Sequence, residues 1–249
     1  MKLSGNTILI TGGTSGIGRA LAEALHKLDN QVIISGRRKA LLDEVTAANP
    51  GMKSIEFDVG SAAAIKVAGA RLIADFPKLN VLINNAGIMH IDNAAAEVDE
   101  EMMQNTITTN LMGPIRMTGA LIEHLKAQPS ATVINVSSVL AFVPMAMTAV
   151  YSSTKAALHS YTMSLRWNLK DTPVKVLELS PPWVQTDLLN SKEEPRAMPL
   201  QQFIDETIAV LGTDVTEVLV EGAKQMRANP GPNEYEWVNQ FNDILSQPA

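Results

Sequence analysis

Short apolar runs alternate with longer amphipathic segments along most of this chain. In the longer segments, apolar residues recur at helical spacing, as Leu21, Leu25 and Leu28 do, so we predict helices there. The runs are rich in β-branched residues and predict strands near 7–11, 31–35, 54–58, 81–84, 132–137 and 174–180. This alternation is typical of an α/β fold, a doubly wound parallel sheet with helices on both faces.

A single domain accounts for the whole chain. Its 249 residues are 46% apolar, which is enough for one sizeable core, and the sequence shows no repeat or linker. We therefore expect residues 1–249 to form one domain. The least regular stretch of the chain is 181–199. We predict a mobile substrate lid over about 182–212, which contains most of this stretch.

Glycines cluster between the first predicted strand and the first predicted helix, in the sequence TGGTSGIG from Thr11 to Gly18. A backbone without Cβ can turn tightly and approach a diphosphate, and the helix start can aim its amides at the negative charge. The spacing Gly-x-x-x-Gly-x-Gly departs from the commoner fingerprint Gly-x-Gly-x-x-Gly. The loop predicts a dinucleotide site, with a turn that serves packing alone as the alternative.

Tyr151 and Lys155 stand four residues apart in a predicted helix, so they share one of its faces. A phenol has an ordinary pKa of about 10, which is too high for ready proton exchange at neutral pH. A nearby ammonium group favours the phenolate and makes the phenol a usable acid or base. The pair therefore predicts a proton-transfer site.

Further polar residues stand where predicted strands end. One run ends at Ser137 and Ser138, and another ends in Asn84 and Asn85. The carboxyl ends of parallel strands meet at one edge of a sheet, so we expect these side chains to lie near each other. Alternation along a strand puts Ser137 and Ser138 on opposite faces, and we favour Ser138 for the site.

In these residues the chain resembles the short-chain dehydrogenase/reductase family, in its compact single-domain form, over about residues 5–190. The resemblance implies a Rossmann-type fold and hydride transfer between C4 of a nicotinamide and a carbonyl carbon. It rests on the glycine loop, Asp58-Val59, Asn84-Asn85-Ala86-Gly87, Asn110, Ser138, Tyr151 and Lys155, in order and at family spacing.

The resemblance implies a role for each catalytic residue. Tyr151 would donate the proton to the substrate carbonyl, and Ser138, at the family's usual separation from it, would polarise that carbonyl. Lys155 would hold the nicotinamide ribose and lower the pKa of Tyr151. Asn110 would support a proton relay through water, although a satisfied polar helix residue is an equal interpretation of this position.

Residues that bind the dinucleotide are also implied by the resemblance. Asp58 would meet the adenine, with a cap on the following segment as the alternative. Pro181, Val184 and Thr186 would lie near the nicotinamide carboxamide. The other predicted cofactor residues, besides Tyr151 and Lys155, are Gly12, Thr14, Ser15, Gly16, Ile17, Gly18, Val59, Asn85, Ala86 and Gly87.

The end of the second predicted strand bears on the choice between NADP and NAD. Gly36 stands where an acidic residue would bind the ribose diol of NAD, and Arg37 and Arg38 follow it. A guanidinium donates bidentate hydrogen bonds to a phosphate, so we predict NADP(H), with NAD(H) as the alternative. The arginines are otherwise a solvated pair at a helix start.

Two features depart from the family pattern. Pro182 follows Pro181 where glycine is usual, which is similar to a branch of the family named for DltE. Apolar residues spaced from Tyr235 to Leu245 predict a C-terminal helix in place of the family's last strand. That helix would serve a dimer interface or pack on the chain's own core, and we expect a homo-oligomer, a dimer or a tetramer.

The expected substrate is a small carbonyl compound or alcohol, and the apolar residues near the site indicate an apolar one. Its contacts are predicted at His90, Leu140, Met145, Trp183 and Leu188. An NAD-linked alcohol dehydrogenase is the alternative among enzymes. A dinucleotide-binding sensor without turnover is the alternative among other classes of protein.

Charge and composition argue against several other classes. The net charge is −6 and no basic patch is present, so neither nucleic acid nor a membrane is an expected partner. The absence of cysteine excludes disulfides, thiol catalysis and thiolate metal sites, and no spacing of His and carboxylates indicates a metal. The N-terminus lacks a secretory apolar region, so the cytoplasm is the expected location.

Overall fold

One parallel sheet organises the chain. The structure, a computed structural model, describes residues 1–246, and residues 247–249 of the predicted domain lie outside the described part. The strand order is β3-β2-β1-β4-β5-β6-β7. The strands are β1 (Thr7–Thr11), β2 (Gln31–Gly36), β3 (Lys53–Glu56), β4 (Leu79–Asn84), β5 (Ala131–Val136), β6 (Val174–Leu179) and β7 (Glu217–Val218).

Helices connect the strands and cover both faces of the sheet, which confirms the predicted fold class. A π-helical turn, Thr108–Met112, joins two of them, α4 and α5, into one longer rod. The helices are α1 (Gly16–Lys27), α2 (Lys39–Ala48), α3 (Ala62–Asp75), α4 (Glu100–Ile107), α5 (Gly113–Lys126), α6 (Ala149–Asn168), α7 (Leu200–Leu211), α8 (Glu221–Arg227) and α9 (Glu234–Ser246).

Alternation along the central strand β1 divides the core into two layers. Ile8 and Ile10 pack in the layer that holds α1 and α7. Leu9, between them, packs in the opposite layer with α3 and α5. All three side chains are fully buried, and each such burial is worth about 1.5–3 kcal/mol. The strand is therefore covered on both sides, which explains why Ile8, Leu9 and Ile10 form an uninterrupted apolar run.

The C-terminal region differs from the prediction. The expected helix is present as α9, but it does not replace the last strand, because Glu217 and Val218 of β7 pair with Glu178 and Leu179 of β6. Two residues are too few to show the alternation by which a strand is recognised in a sequence. Within its described residues α9 has no buried side chain, so it packs at the surface rather than in the core.

The sheet places a crevice where the strand order reverses, between β1 and β4. In doubly wound sheets a ligand binds at this point, beyond the carboxyl ends of the strands. The glycine loop after β1, the asparagines after β4 and the serines after β5 all lie at this edge. Among the helices of residues 1–246, none is long and apolar enough to cross a membrane.

Candidate active site

The glycine loop leads from β1 into α1 and closes against the end of β4. Gly12 and Gly16 have positive φ angles, 69° and 53°, in the left-handed region that glycine adopts without strain. A Cβ atom on Gly18 would lie 2.3 Å from both Asn85 Nδ2 and the Gly12 carbonyl oxygen. The loop can therefore take this shape only with glycine at position 18.

The start of α1 presents hydrogen-bond donors to an anion. Ser15, the N-cap residue of α1, makes no side-chain capping bond, so the side chain does not occupy the first amides of the helix. A Cβ on Gly16 would lie 3.5 Å from Thr186, at ordinary van der Waals distance, so Thr186 stands across from the start of α1. Thr14 and Ile17 flank Ser15 and Gly16 in the sequence. The residues present thus fit the diphosphate of a dinucleotide.

Asn85 ties the end of β4 to the glycine loop. Its Nδ2 donates to the Thr11 carbonyl oxygen at 3.0 Å and to the Gly12 carbonyl oxygen at 3.3 Å. In return, Thr11 Oγ1 accepts from the backbone amides of Asn85 and Ala86, at 3.0 and 3.1 Å. Asn85 and Ala86 were both predicted to line the cofactor cleft, and they hold the glycine loop in place through these hydrogen bonds.

Two arginines border the end of the cleft where β2 and β3 stop. Arg38 Nη2 donates to Thr14 Oγ1 at 3.2 Å, and Arg37 Nη1 lies 3.9 Å from Asp58 Oδ2. The Arg37 side chain is 65% exposed, so its remaining donors face solvent. A Cβ on Gly36 would lie 3.1 Å from Thr14 Cγ2, so an acidic side chain there would require Thr14 to move. This end of the cleft is therefore cationic.

Asp58 and Val59 follow β3 and have different surroundings. Asp58 Oδ1 accepts from the Gly60 amide at 2.8 Å, which is a local turn, whereas the cap of the following helix α3 is Ser61. Its other carboxylate oxygen faces Arg37, and contact with adenine stays a prediction. Val59 is buried, and a Cβ on Gly113 would lie 3.3 Å from its Cβ, so Val59 packs against the start of α5, and its contact with the cofactor stays a prediction.

Tyr151 and Lys155 lie one turn apart on α6 and are both buried. Lys155 Nζ is 5.4 Å from the centroid of the Tyr151 ring and donates to the Val136 carbonyl oxygen at 2.8 Å. Burial raises the pKa of Tyr151 to about 12, against a smaller lowering by Ser138. Burial also lowers the pKa of Lys155 to about 8, against a smaller rise from Glu178.

The pKa of Tyr151 moves in the direction opposite to the expected one. We expected Lys155 to lower it, but in the structure the cost of placing a phenolate in a dry site is larger than any effect of the ammonium. The ammonium is directed at the Val136 carbonyl instead. As a result the phenol keeps its proton at neutral pH, which is the state that a proton donor requires.

Ser137 and Ser138 point to opposite sides, as alternation predicts. Ser138 Oγ accepts from the Leu140 amide at 3.1 Å, and the hydroxyl lies close enough to lower the pKa of Tyr151. Ser137 Oγ donates to Glu178 Oε1 at 2.6 Å, in the interior. The structure therefore brings Ser138 to Tyr151 and holds Ser137 away from it.

Asn110 lies in the π-helical turn between α4 and α5 and is fully buried. Its Oδ1 accepts from the Ile88 amide at 2.9 Å, and its Nδ2 donates to the Ile88 carbonyl oxygen at 2.8 Å. Nδ2 also donates to Thr154 Oγ1 at 3.3 Å. The side chain thus clamps the backbone that follows Gly87, as a satisfied polar residue would, and its part in a proton relay stays a prediction.

Gly87 leaves a gap between two of the predicted catalytic residues. A Cβ at this position would lie 3.4 Å from Asn110 Oδ1 and 3.7 Å from Lys155 Nζ. The glycine is exposed, so the gap opens to solvent. Binding of a nicotinamide ribose next to Lys155 stays a prediction.

The chain after β6 forms the other border of the crevice. The Pro181 carbonyl oxygen accepts from the Val139 amide at 3.0 Å, next to Ser138. Val184 is buried and forms a parallel bridge with Met198, and Thr186, also buried, faces Gly16. Contact of Pro181, Val184 and Thr186 with a nicotinamide stays a prediction.

The predicted lid is closed on itself at its base. The Met198 amide donates to the Trp183 carbonyl oxygen at 2.8 Å, and the Gln185 amide donates to the Met198 carbonyl oxygen at 2.9 Å. The later part of the segment is α7, which buries Phe203 and Ile204 in the core. Movement of residues 182–212 stays a prediction.

The five predicted substrate residues lie in different places. Leu140 and Met145 are half-buried after Ser138, and Trp183 Nε1 donates to Ser191 Oγ at 2.7 Å. Leu188 is exposed. His90 lines a cavity of about 570 Å³ between the loop after β4 and the starts of α4 and α6, a cavity that the other four do not line. Substrate contact stays a prediction for all five.

Asp92 contributes to the site but was missed in the sequence. Its Oδ1 accepts from the Ala149 amide and its Oδ2 accepts from the Val150 amide, both at 2.9 Å. The carboxylate therefore caps the helix that carries Tyr151 and Lys155. Its negative charge is also stabilised by the positive, N-terminal end of the dipole of that helix. The two partners are 57 and 58 residues away along the chain, so no local motif marks them.

We predict that Asp92→Ala lowers the free energy of unfolding by about 1 kcal/mol, which is roughly 3 °C in Tm for a chain of this size. It should also lower kcat/KM, because the start of α6 places Tyr151. Ser61→Ala is the control, since Ser61 caps α3, which carries no site residue. Thermal unfolding and kcat/KM of both variants test the prediction, which fails if Asp92→Ala affects kcat/KM no more than Ser61→Ala does.

A second group missed in the sequence holds the loop after Ser138. Asn242 of α9 donates through Nδ2 to the Pro144 carbonyl oxygen at 3.0 Å, and its Oδ1 accepts from the Ala146 amide at 2.5 Å. Asn229 Nδ2 donates to the Phe142 carbonyl oxygen at 3.0 Å. The C-terminal segment therefore braces the loop that contains Met145.

Known proteins are similar to this chain over most of its length. The family model described as short chain dehydrogenase matches residues 6–197. The uncharacterized oxidoreductase DltE of Bacillus subtilis is 39% identical over 207 residues, which cover 83% of this chain and 82% of that protein. The NADP-dependent 3-hydroxy acid dehydrogenase YdfG of Shigella flexneri is 28% identical over 214 residues, 85% of this chain and 86% of that protein.

A solved structure is similar over the full length. It is a short chain dehydrogenase from Burkholderia cenocepacia J2315 in complex with NADP, with a TM-score of 0.83 and 25% identity, and the match covers 100% of both chains. The family match, the sequence relatives and the fold agree with the geometry of the crevice. The chain therefore belongs to the short-chain dehydrogenase family and is an NAD(P)-dependent dehydrogenase or reductase.

Proposed function

We propose that this protein is an NADPH-preferring carbonyl reductase that also acts as a secondary alcohol dehydrogenase in the reverse direction. The observation that carries the proposal is the buried pair of Tyr151 and Lys155, one turn apart, with Ser138 beside the phenol. The pair lies at the same sheet edge as the glycine loop. A site that only binds a dinucleotide has no need of a buried proton donor.

In the proposed reaction, the reduced nicotinamide supplies a hydride to the carbonyl carbon. Ser138 Oγ donates a hydrogen bond to the carbonyl oxygen and polarises it. Tyr151 Oη transfers its proton to that oxygen, so the carbonyl becomes an alcohol and the phenol becomes a phenolate that is reprotonated from solvent. The Lys155 ammonium, 5.4 Å from the centre of the phenol ring, would stabilise this phenolate and would hold the nicotinamide ribose hydroxyls.

The preference for NADP rests on the cationic end of the cleft. Arg37 and Arg38 flank the place where the adenosine ribose would lie, and Gly36 presents no carboxylate that would repel a 2′-phosphate. Two similar proteins point the same way, since one is named as NADP-dependent and the other was solved with NADP.

We predict that Arg37→Ala raises the Kd of NADPH by about tenfold to a hundredfold, the value of one charge-assisted hydrogen bond. The Kd of NADH should change by less than about threefold, because NADH lacks the 2′-phosphate. Lys39→Ala is the control, because the neighbouring Lys39 pairs with Asp43. Fluorescence titration measures both dissociation constants, and equal increases for the two cofactors would disprove the NADP preference.

Leu140 and Met145 support an apolar substrate, because both follow Ser138 and keep part of their surface exposed.

The decisive experiment follows the absorbance of NADPH while the protein is offered a panel of apolar ketones and aldehydes. Consumption that is faster with NADPH than with NADH supports the proposal. Turnover only of highly charged substrates would contradict the apolar substrate class.

We also expect a dimer or tetramer, which light scattering would detect.

A further inference from the structure

Glu178 is a fully buried carboxylate that the proposed reaction does not use. It lies on β6, beside the end of β5 that carries Ser138. Its Oε1 accepts from Ser137 Oγ at 2.6 Å, and its Oε2 lies 2.7 Å from His159 Nδ1. Burial of a carboxylate costs desolvation free energy unless its oxygens accept hydrogen bonds, as they do here. The protein therefore holds a carboxylate at this position in spite of that cost.

His159 connects this carboxylate to the catalytic helix. It follows Lys155 by one turn of α6, as Lys155 follows Tyr151, so the three residues share a face. The imidazole is only 16% exposed and packs edge-to-face on Phe142, at 4.9 Å between ring centroids. Its position is therefore fixed by the core on one side and by Glu178 on the other.

Glu178 and Lys155 also meet at the end of β5, where each bonds one of two neighbouring residues. Burial lowers the pKa of Lys155 to about 8, and Glu178 is the group that opposes this lowering. The Lys155 ammonium donates to the carbonyl of Val136 at 2.8 Å, and the next residue, Ser137, donates to Glu178, so both side chains are bonded to the end of β5. Without a negative charge behind the site, a lysine this deeply buried would lose its proton at a lower pH.

Other charged groups that face Glu178 come from three elements. α6 contributes His159 and Lys155, β7 contributes Glu217, and α8 contributes Arg227. Glu217 and Arg227 are engaged with each other, at 2.6 and 2.8 Å through two hydrogen bonds. Of these two carboxylates, Glu178 is the one that acts on the pKa of Lys155.

We propose that Glu178, held by His159 and Ser137, is a positioning residue that keeps the Lys155 ammonium charged and the end of β5 in place for catalysis. Glu178 acts through Lys155 and contacts neither the substrate nor the cofactor. The inference rests on the proposed function, since it assumes that Lys155 binds the nicotinamide ribose. Loss of the negative charge should therefore change the pH at which the cofactor is released.

The test measures the Kd of NADPH by fluorescence titration from pH ~6 to ~10, without a substrate. In the wild-type protein the affinity should fall as pH rises past about 8, where Lys155 loses its proton. In Glu178→Gln, which keeps the shape of the side chain without its charge, the fall should begin about one pH unit lower. Glu217→Gln is the control and should retain the wild-type midpoint, because that carboxylate pairs with Arg227.

A midpoint in Glu178→Gln that equals the wild-type midpoint overturns the proposal, because a purely structural role would weaken binding at every pH without moving the midpoint. If Glu178→Gln does not fold, His159→Leu decides. Removal of the imidazole leaves Oε2 without the hydrogen bond that holds it, so the carboxylate is no longer fixed in place behind Lys155 and the midpoint should again move down. An unmoved midpoint in that variant overturns the proposal as well.

The two proposals fail in different ways in this design. Binding is measured without turnover, so a shifted midpoint in a protein that reduces none of the carbonyl compounds supports the role of Glu178 and contradicts the reductase function. Turnover with an unmoved midpoint supports the reductase function and contradicts the role of Glu178.

Discussion

Replacement of Tyr151 by Phe is expected to lower kcat for carbonyl reduction by about 10³-fold, within the range for removal of a positioned proton donor. The ring is buried and its packing is retained, so the fold should be unaffected. NADPH should bind within about threefold of the wild-type Kd, because the lost hydroxyl serves the substrate. Steady-state rates and fluorescence titration measure the two effects separately.

Tyr161 offers a matched control for this variant. It lies on the same helix, and burial raises its pKa against a smaller lowering by a hydrogen bond with Thr118 of α5. Tyr161→Phe makes the same chemical change and should leave kcat nearly unchanged. If the two variants lose activity equally, or if Tyr151→Phe retains full activity, Tyr151 is not the proton donor.

Gly18→Ala is expected to weaken NADPH binding by roughly 10- to 100-fold, the cost of forcing an extra methyl group into a close-packed loop. The added Cβ would lie 2.3 Å from Asn85 Nδ2 and from the Gly12 carbonyl oxygen. The Gly12 backbone cannot move freely, since it is bonded to Asn85, so the loop itself must shift. A shift there displaces the backbone proposed to hold the diphosphate.

The same substitution elsewhere separates this effect from a general loss of stability. A Cβ on Gly119, in α5, would meet nothing within 4 Å. Gly119→Ala should therefore bind NADPH normally and raise the free energy of unfolding by about 0.5–1 kcal/mol, the gain in helix propensity. Fluorescence titration and thermal unfolding of both variants check the pair. Normal NADPH binding by Gly18→Ala would show that the loop does not hold the cofactor.

Much of the fold could be predicted because the signals that specify it are local. The first strand, Thr7–Thr11, was predicted at its observed bounds, and the other five predicted strands differ from the observed ones by two residues or fewer at either end. β7 was not predicted, because two residues carry no period and the strand exists only through its pairing with β6. The C-terminal helix α9 was predicted, because a helix of thirteen residues shows its spacing clearly.

The spacing of the candidate catalytic residues was also predictable, because it too is a local property of the sequence. Tyr151 and Lys155 are one helical turn apart, so their shared face follows from spacing alone. The direction of the Tyr151 pKa did not follow, because it depends on how completely the surrounding fold removes water from the phenol. Asp92 and Glu178 were missed because an isolated carboxylate in a sequence is most often a solvated one.

The sequence by itself determined the fold class, the place of the glycine loop and the register of Tyr151, Lys155 and Ser138. These properties depend on periodicity and on residues that are close along the chain. Only the tertiary structure decided which partners support them, since Ser137 meets Glu178 across 41 residues and Asp92 meets Ala149 across 57. It also decided the pKa values of the site, because burial, the largest contribution to both, is a property of the packed chain.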